Sequence, residues 1–313
     1  MVKLDLSPAQ LELLKPLDKL SPEQRRQLKA GDVSVKLPSF HRKLSWPLKL
    51  SLAYLALVIV ACVSAPLWCT HVAQDFFLEA INHAPNGQFW AGTDYLGRDI
   101  FTLLWYGGRS SLLIGALAAL TAAILGGLIG IVAALSSDLI DNTLQRILEL
   151  LQSVPSILYM LVLSAWVRPE HSWSLALLIG ACTWVAVARL VRAQVRTLRS
   201  ATFWQAACAM GAGFTLKLRL HILPGLISTQ SFILAAAFVS ALTYEATLTF
   251  LGLGLPPEEL SWGALLALSN RALLTNSWWV IVFPGLMLLS VLTAVSIICF
   301  SLQKPGTRRC SNL

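Results

Sequence analysis

Charge is what this chain has least of. Of its 313 residues only 13 % are Asp, Glu, Lys or Arg, against about a quarter in an ordinary soluble domain, while 56 % are hydrophobic. A core that buries so much apolar surface in water is excluded at this length, so lipid must act as solvent for much of the chain. Cysteine is sparse and unpatterned: the six, at positions 62, 69, 182, 208, 299 and 310, form no Cys-x-x-Cys pair, so neither a disulfide framework nor a thiolate metal site is expected. Histidine is rarer still, and His71 and His83 are too far apart for a metal centre to be expected there. The phosphate-cradling Gly-rich loop ending in Lys-Ser/Thr is missing. Its nearest look-alike, Gly211 to Lys217, lacks that ending and the strand–helix context. There is no His-Glu-x-x-His and no nucleophile elbow. ATP binding, catalysis, a cofactor and a metal are therefore not expected of this chain.

What is present is a series of apolar runs near the length of one bilayer span, about 20 residues. Six candidates fall at 46–68, 110–135, 148–167, 172–190, 226–253 and 278–302. In lipid every backbone polar group needs an internal partner, which runs of this length find as helices. The fold class expected is an all-α integral membrane protein with six transmembrane helices. The first run begins some 45 residues in and has no small-residue cleavage site, so it is read as an uncleaved anchor.

The net charge of +8 invites a nucleic-acid reading, which its distribution removes. All the basic residues except Arg98, Arg109, Arg168 and Arg271 precede or open the first run, lie between runs two and three, lie from the end of run four to the start of run five, or follow the sixth. The positive-inside rule then places both termini and the 189–224 loop in the cytoplasm, the same parity that six spans require. Nucleic acid is not expected as a partner; membrane lipid is.

Residues 1–45 form a polar extension with two helix-start signals, Ser7-Pro8 and Ser21-Pro22-Glu23, each a capping Ser with Pro at the first helical position. Residues 303–313 form a short tail. In the long loop before the second run, Gly92-Thr93-Asp94-Tyr95-Leu96-Gly97-Arg98-Asp99 packs two glycines, two acids and one base into eight positions. A tight turn closed by an Asp–Arg ion pair and a functional element are both open readings. Gly126 and Gly130 have the spacing that lets helix backbones approach closely in lipid. Asp138, Asp141, Arg146 and Glu149 are read as a short charged inner turn, followed by Pro155 near the start of the third run. Glu245, in the outer third of the fifth run, is an ionisable group at membrane depth, where structural pairing and pathway lining are both open.

The most informative segment is Phe203-Trp204-Gln205-Ala206-Ala207-Cys208-Ala209-Met210-Gly211-Ala212-Gly213, which ends at His221-Ile222-Leu223-Pro224. A short helix with small residues on one face, in a polar loop beside a membrane, has the shape of a handle for another protein. These residues resemble the cytoplasmic loop motif of bacterial ABC importer permeases, usually Glu-Ala-Ala, then Gly, then Ile-x-Leu-Pro. The loop from Gly92 to Asp99, the run Thr247-Leu248-Thr249-Phe250-Leu251-Gly252-Leu253-Gly254 and Ser261-Trp262-Gly263-Ala264 resemble the second permease subunit of the dipeptide/oligopeptide/nickel group. The likeness extends from about Gly92 to about Leu289.

That resemblance implies a type I importer permease in the bacterial inner membrane. Its expected partners are a second homologous permease in a heterodimer, two ABC ATPase subunits and a periplasmic or lipid-anchored substrate-binding protein. It implies that Phe203, Trp204, Gln205, Ala206, Ala207, Met210 and Gly211 form the coupling helix against the ATPase. Asp94, Arg98, Asp99 and Glu245 become candidates for the outer gate or the pathway. The chain departs from the family pattern at Gln205, where the usual residue is Glu, at His221, and after Cys299, where Lys304-Pro305-Gly306 stands. Peptides are the expected cargo. Nickel, a metal chelate or a cationic antimicrobial peptide carried by the same machinery is an alternative. A stand-alone secondary transporter or channel, working without an ATPase, is the rival of another class.

Overall fold

The computed structural model describes residues 45–209, 213, 218 and 222–303, all within one compact unit, Ser45–Leu313. The helix-start signals at Ser7 and Ser21, together with Met210, Gly211 and the 304–313 tail, lie outside the described residues. Among the described residues the structure is helical, with one isolated bridge between Thr93 and Asp99.

Among the described residues ten α-helices follow in chain order, besides a 3-10 turn at Leu78–Ala80: α1 Trp46–Trp68, α2 Ile100–Leu135, α3 Asp138–Ser153, α4 Ser156–Val167, α5 Ser172–Ser200, α6 Thr202–Ala209, α7 Leu223–Phe250, α8 Trp262–Ala267, α9 Ser269–Ala272 and α10 Trp279–Gln303. Among the described residues five helices are long and apolar enough to cross a membrane without interruption, lying in α1, α2, α5, α7 and α10. The pair α3 and α4, bent by 78°, makes a sixth passage if the two are counted as one broken span. The break falls at Val154-Pro155, because proline has no N–H to donate backwards and disfavours helix in the residue before it. Residues 138–153 are therefore not a short charged turn. They form a sixteen-residue amphipathic helix.

Two further boundaries differ from the sequence reading. The second passage starts at Ile100, ten residues before position 110, since Arg109 does not interrupt it. Arg109 donates from Nε to the Cys62 carbonyl at 2.7 Å and from Nη2 to the Val63 carbonyl at 2.8 Å. Pro66 lies inside α1, and a proline there leaves the carbonyl four residues earlier, that of Cys62, without its helical donor. Arg109 supplies one. The fourth passage, expected to stop near 190, continues as helix to Ser200.

That continuation is held by arginines at the end of the bundle here called the basic end. Arg192 grips Asp141 of α3 through two bonds of 2.5 Å, and Arg196 reaches the same carboxylate. Arg189 bonds Gln152 of α3, and Arg199 bonds the Ala134 carbonyl. Ala134 is in the last turn of α2, where carbonyls have no partner within the helix. The Asp141 side chain is 2 % exposed and that of Arg192 16 %, so removing the carboxylate strands a charge in a poorly solvated place. Asp141→Ala is expected to lower stability by about 2 kcal/mol, read as a lower melting midpoint of the protein in lipid nanodiscs. A midpoint equal to that of the unmodified chain would refute the clamp.

The largest helix contact is between α2 and α5, and small residues make it. Ala118, Ala119, Ala122 and Ala123 of α2 are buried. Gly126 and Gly130 face α5 backbone, and Gly180 of α5 faces α2 in return. At the opposite end, called the loop end because residues 69–99 cover it, Trp262 is fully buried and donates its indole N–H to the Leu104 carbonyl at 2.9 Å.

Candidate functional site

Three groups of residues singled out by the sequence occupy three separate places. The first is the loop end. Asp94, fully buried, accepts from the N–H groups of Leu96 at 2.9 Å and Arg98 at 2.8 Å, and from Arg98 Nε at 2.8 Å. Gly97 closes the turn at φ +75°, a conformation that disfavours any side chain, and an added Cβ would strike the Phe77 carbonyl. Asp99 caps α2, accepting from Phe101 N and Thr102 N at 3.2 Å each and from Thr102 Oγ1 at 2.6 Å. His71 Nδ1 lies 3.3 Å from the same carboxylate. Trp279, at the start of α10, donates to the Thr93 carbonyl at 2.9 Å. The structure thus brings Asp94, Arg98 and Asp99 together as the lock of a tight turn, one of the two readings the sequence left open.

Glu245 is the second place, apart from the first. It is fully buried in α7 and faces hydroxyls: Ser111 Oγ and Thr249 Oγ1 each donate to it at 3.4 Å. Ser111 also accepts from Trp262 N at 3.0 Å, so the carboxyl lies at the joint of α2, α7 and the turn that opens α8. Among the described residues no cation pairs with it. Gly263 is what lets α8 approach. A Cβ there would lie 2.8 Å from Glu245 Oε1 and 2.9 Å from Ala246 Cα. Gly263→Val is therefore expected to cost about 2 kcal/mol through overpacking, whereas Glu245→Gln, which keeps the shape and an acceptor for the hydroxyls, is expected to melt near the unmodified protein. Thermal unfolding in detergent separates the two, and the reverse order would show that packing at this joint is misassigned. Ser111 carries no signal in the sequence beyond being small, and Gly263 stands in a segment singled out only for its family likeness; the fold reveals both as neighbours of Glu245.

The third place is α6, at the basic end. Trp204 and Ala207 are buried within the chain, 9 % and 3 % exposed, and Trp204 packs in a cluster with Val191, Val195, Ile222 and Leu226. Gln205 is on the exposed side, its Nε2 donating to the Ser200 carbonyl at 3.4 Å. Phe203 and Ala206 are in the helix, and their side chains are outside the described set, as are Met210 and Gly211 entirely. The helix is seated by a Trp anchor and presents a polar residue outward.

One cavity at the loop end unites residues that the sequence reading kept apart. About 900 Å³ in volume, it is lined by Tyr95 and Arg98 of the first loop, Arg168 and Glu170 after α4, and Asn270 and Arg271 of α9. Arg271 lies over the Tyr95 ring, 4.5 Å from its centroid.

Five uninterrupted apolar helices with one bent pair, a short helix at the basic end and a locked loop at the other are the frame of a multi-pass membrane protein. The chain belongs to the family of binding-protein-dependent transport system inner membrane components, whose sequence model matches residues 126–309. It is similar to a putative peptide permease protein of Brucella suis biovar 1, 34 % identical over 248 residues that cover 79 % of this chain and 82 % of the relative. It is also similar to a putative peptide transport system permease protein of the same organism, 34 % identical over 251 residues, 80 % of this chain and 83 % of the relative. The dipeptide transport system permease protein DppC of Bacillus subtilis is 31 % identical over 261 residues, 82 % of this chain and 80 % of that protein. The protein is thus a multi-pass membrane permease of the ABC-importer kind, not the subunit that hydrolyses ATP.

Proposed function

We propose that this chain forms half of the path by which an ATP-driven importer carries peptides across the bacterial inner membrane. It would pair with a second, homologous permease, two ABC ATPases and a periplasmic or lipid-anchored binding protein. The observation that carries this reading is α6, a short helix seated on its own bundle by Trp204 while Gln205 faces outward at the basic end. The peptide-permease names of the relatives support the cargo.

In this reading residues 1–45 are a cytoplasmic extension, 46–302 the permease domain and 303–313 a cytoplasmic tail, and the basic end faces the cytosol. The segment 203–211 is the coupling helix: Trp204 and Ala207 seat it on its own bundle, which leaves Phe203, Gln205, Ala206, Met210 and Gly211 to meet the ATPase. ATPase movement there swings α5, to which the arginines clasp α2 and α3, so the lever moves as one body and access alternates between the faces. Asp94, Arg98, Asp99 and Glu245 hold the outer gate: the first three fix the loop over α2, and Glu245 fixes α8 to α2 and α7. Proteoliposomes containing the full complex should import labelled peptide only with ATP and binding protein. Import at full rate by this chain alone would overturn the proposal.

A further inference from the structure

The loop end of the bundle is acid-rich: Asp75, Glu79, Asp94, Asp99, Glu170, Glu258 and Glu259 stand there against four arginines, 98, 109, 168 and 271. Three of those four line the single cavity described above. Arg98 is neutralised by Asp94. Among the described residues no carboxylate pairs with Arg168 or Arg271, and the Tyr95 ring orients the Arg271 guanidinium. Arg168 has a second peculiarity. It terminates α4 at φ +50°, ψ +73°, a left-handed conformation that glycine or asparagine adopts with less strain. Among the described residues it is the only one other than asparagine and glycine with a positive φ.

Volume and chemistry narrow what the cavity can take. A cavity of about 900 Å³ is within the range of small-molecule sites. Its walls combine Leu253, Leu255, Leu260, Pro256 and Pro257 with the solvent-exposed side chains of Arg168, Arg271 and Glu170. We propose that this cavity is a carboxylate-recognising site that receives a short peptide, its free C-terminal carboxylate held by Arg168 and Arg271. Glu170 takes the terminal ammonium, and the leucines and prolines accept side chains without selecting among them. The proposal rests on the permease reading and deepens it: this subunit handles cargo directly at its entry side.

The test is equilibrium dialysis of the full-length chain in lipid nanodiscs against labelled tri-alanine and its C-terminal amide. The free acid should bind, and the amide at least about tenfold more weakly, the loss expected when charge-assisted bonds to arginine are removed. Arg271→Gln should abolish the difference. So should Arg168→Gly, which relaxes the left-handed residue and therefore removes the cation without straining the fold. Equal affinity for acid and amide, or no binding at millimolar peptide, overturns the site. Uptake by the assembled complex separates the two layers. ATP-driven import of tri-alanine by a chain that ignores the amide substitution leaves the permease reading standing and removes this one. A chain that prefers the free acid in a complex that imports no peptide supports the site and removes the assigned cargo.

Discussion

Replacing Gly126 and Gly130 together by leucine is expected to abolish recovery of folded protein. A Cβ at position 126 would lie 2.6 Å from the Trp184 carbonyl and 2.8 Å from Ala188 N, and one at position 130 would lie 2.5 Å from the Ala188 carbonyl and 3.1 Å from Arg192 N. These neighbours are backbone atoms of α5, which cannot swing aside as a side chain does. In lipid there is no hydrophobic drive to press two helices together, so close packing is what the interface has. Forcing α2 and α5 apart also pulls Arg199 from the Ala134 carbonyl at the basic end. The expected loss exceeds about 3 kcal/mol, seen as aggregation in size-exclusion chromatography after detergent extraction. Gly127 supplies the control, since a Cβ there meets only Gln230 Nε2 at 3.9 Å. Gly127→Ala should behave as the unmodified chain while Gly126→Ala is already destabilised. If the two behave alike, close approach is not what these glycines provide.

Gly211→Trp should release the ATPase without unfolding the permease. A docked helix that approaches its receptor through Ala206 and Gly211 has no room for an indole. A wedge at the centre of such an interface costs about 2 kcal/mol or more, roughly 30-fold in affinity. Co-purification of the ATPase should fall accordingly, while the melting midpoint of the isolated chain stays put, because the anchor that seats α6 is Trp204. Gln205→Glu, which restores the acid common in the family, should retain or strengthen association. Unchanged co-purification and import by Gly211→Trp would show that the ATPase is gripped elsewhere.

Much of the architecture was legible before any coordinates. Lipid as solvent demands long apolar runs, so the passages at 46–68 and 278–302 were marked to within a residue or two of α1 and α10. Arg109 misled the reading of α2, because a lone cation looks like the end of a span until the Cys62 carbonyl left open by Pro66 is found beside it. Likewise Arg192, Arg196 and Arg199 looked like loop charge, and become helix only because Asp141 and the end of α2 receive them. For the candidate site, Asp94, Arg98 and Asp99 were adjacent in sequence and so were legible as a unit. Glu245 was legible as an anomaly, without its partners.

Composition and order alone determined that this protein lives in a bilayer and where its long apolar helices fall, since each follows from what a chain segment must do by itself in lipid or water. Tertiary structure decided the rest: which helix the glycines of α2 admit, that Ser111 meets Glu245, and that Arg98, Arg168 and Arg271 share one cavity. Those are contacts between positions 50 to more than 150 apart in the chain, set by how close two backbones can come, and no local pattern of residues encodes that distance.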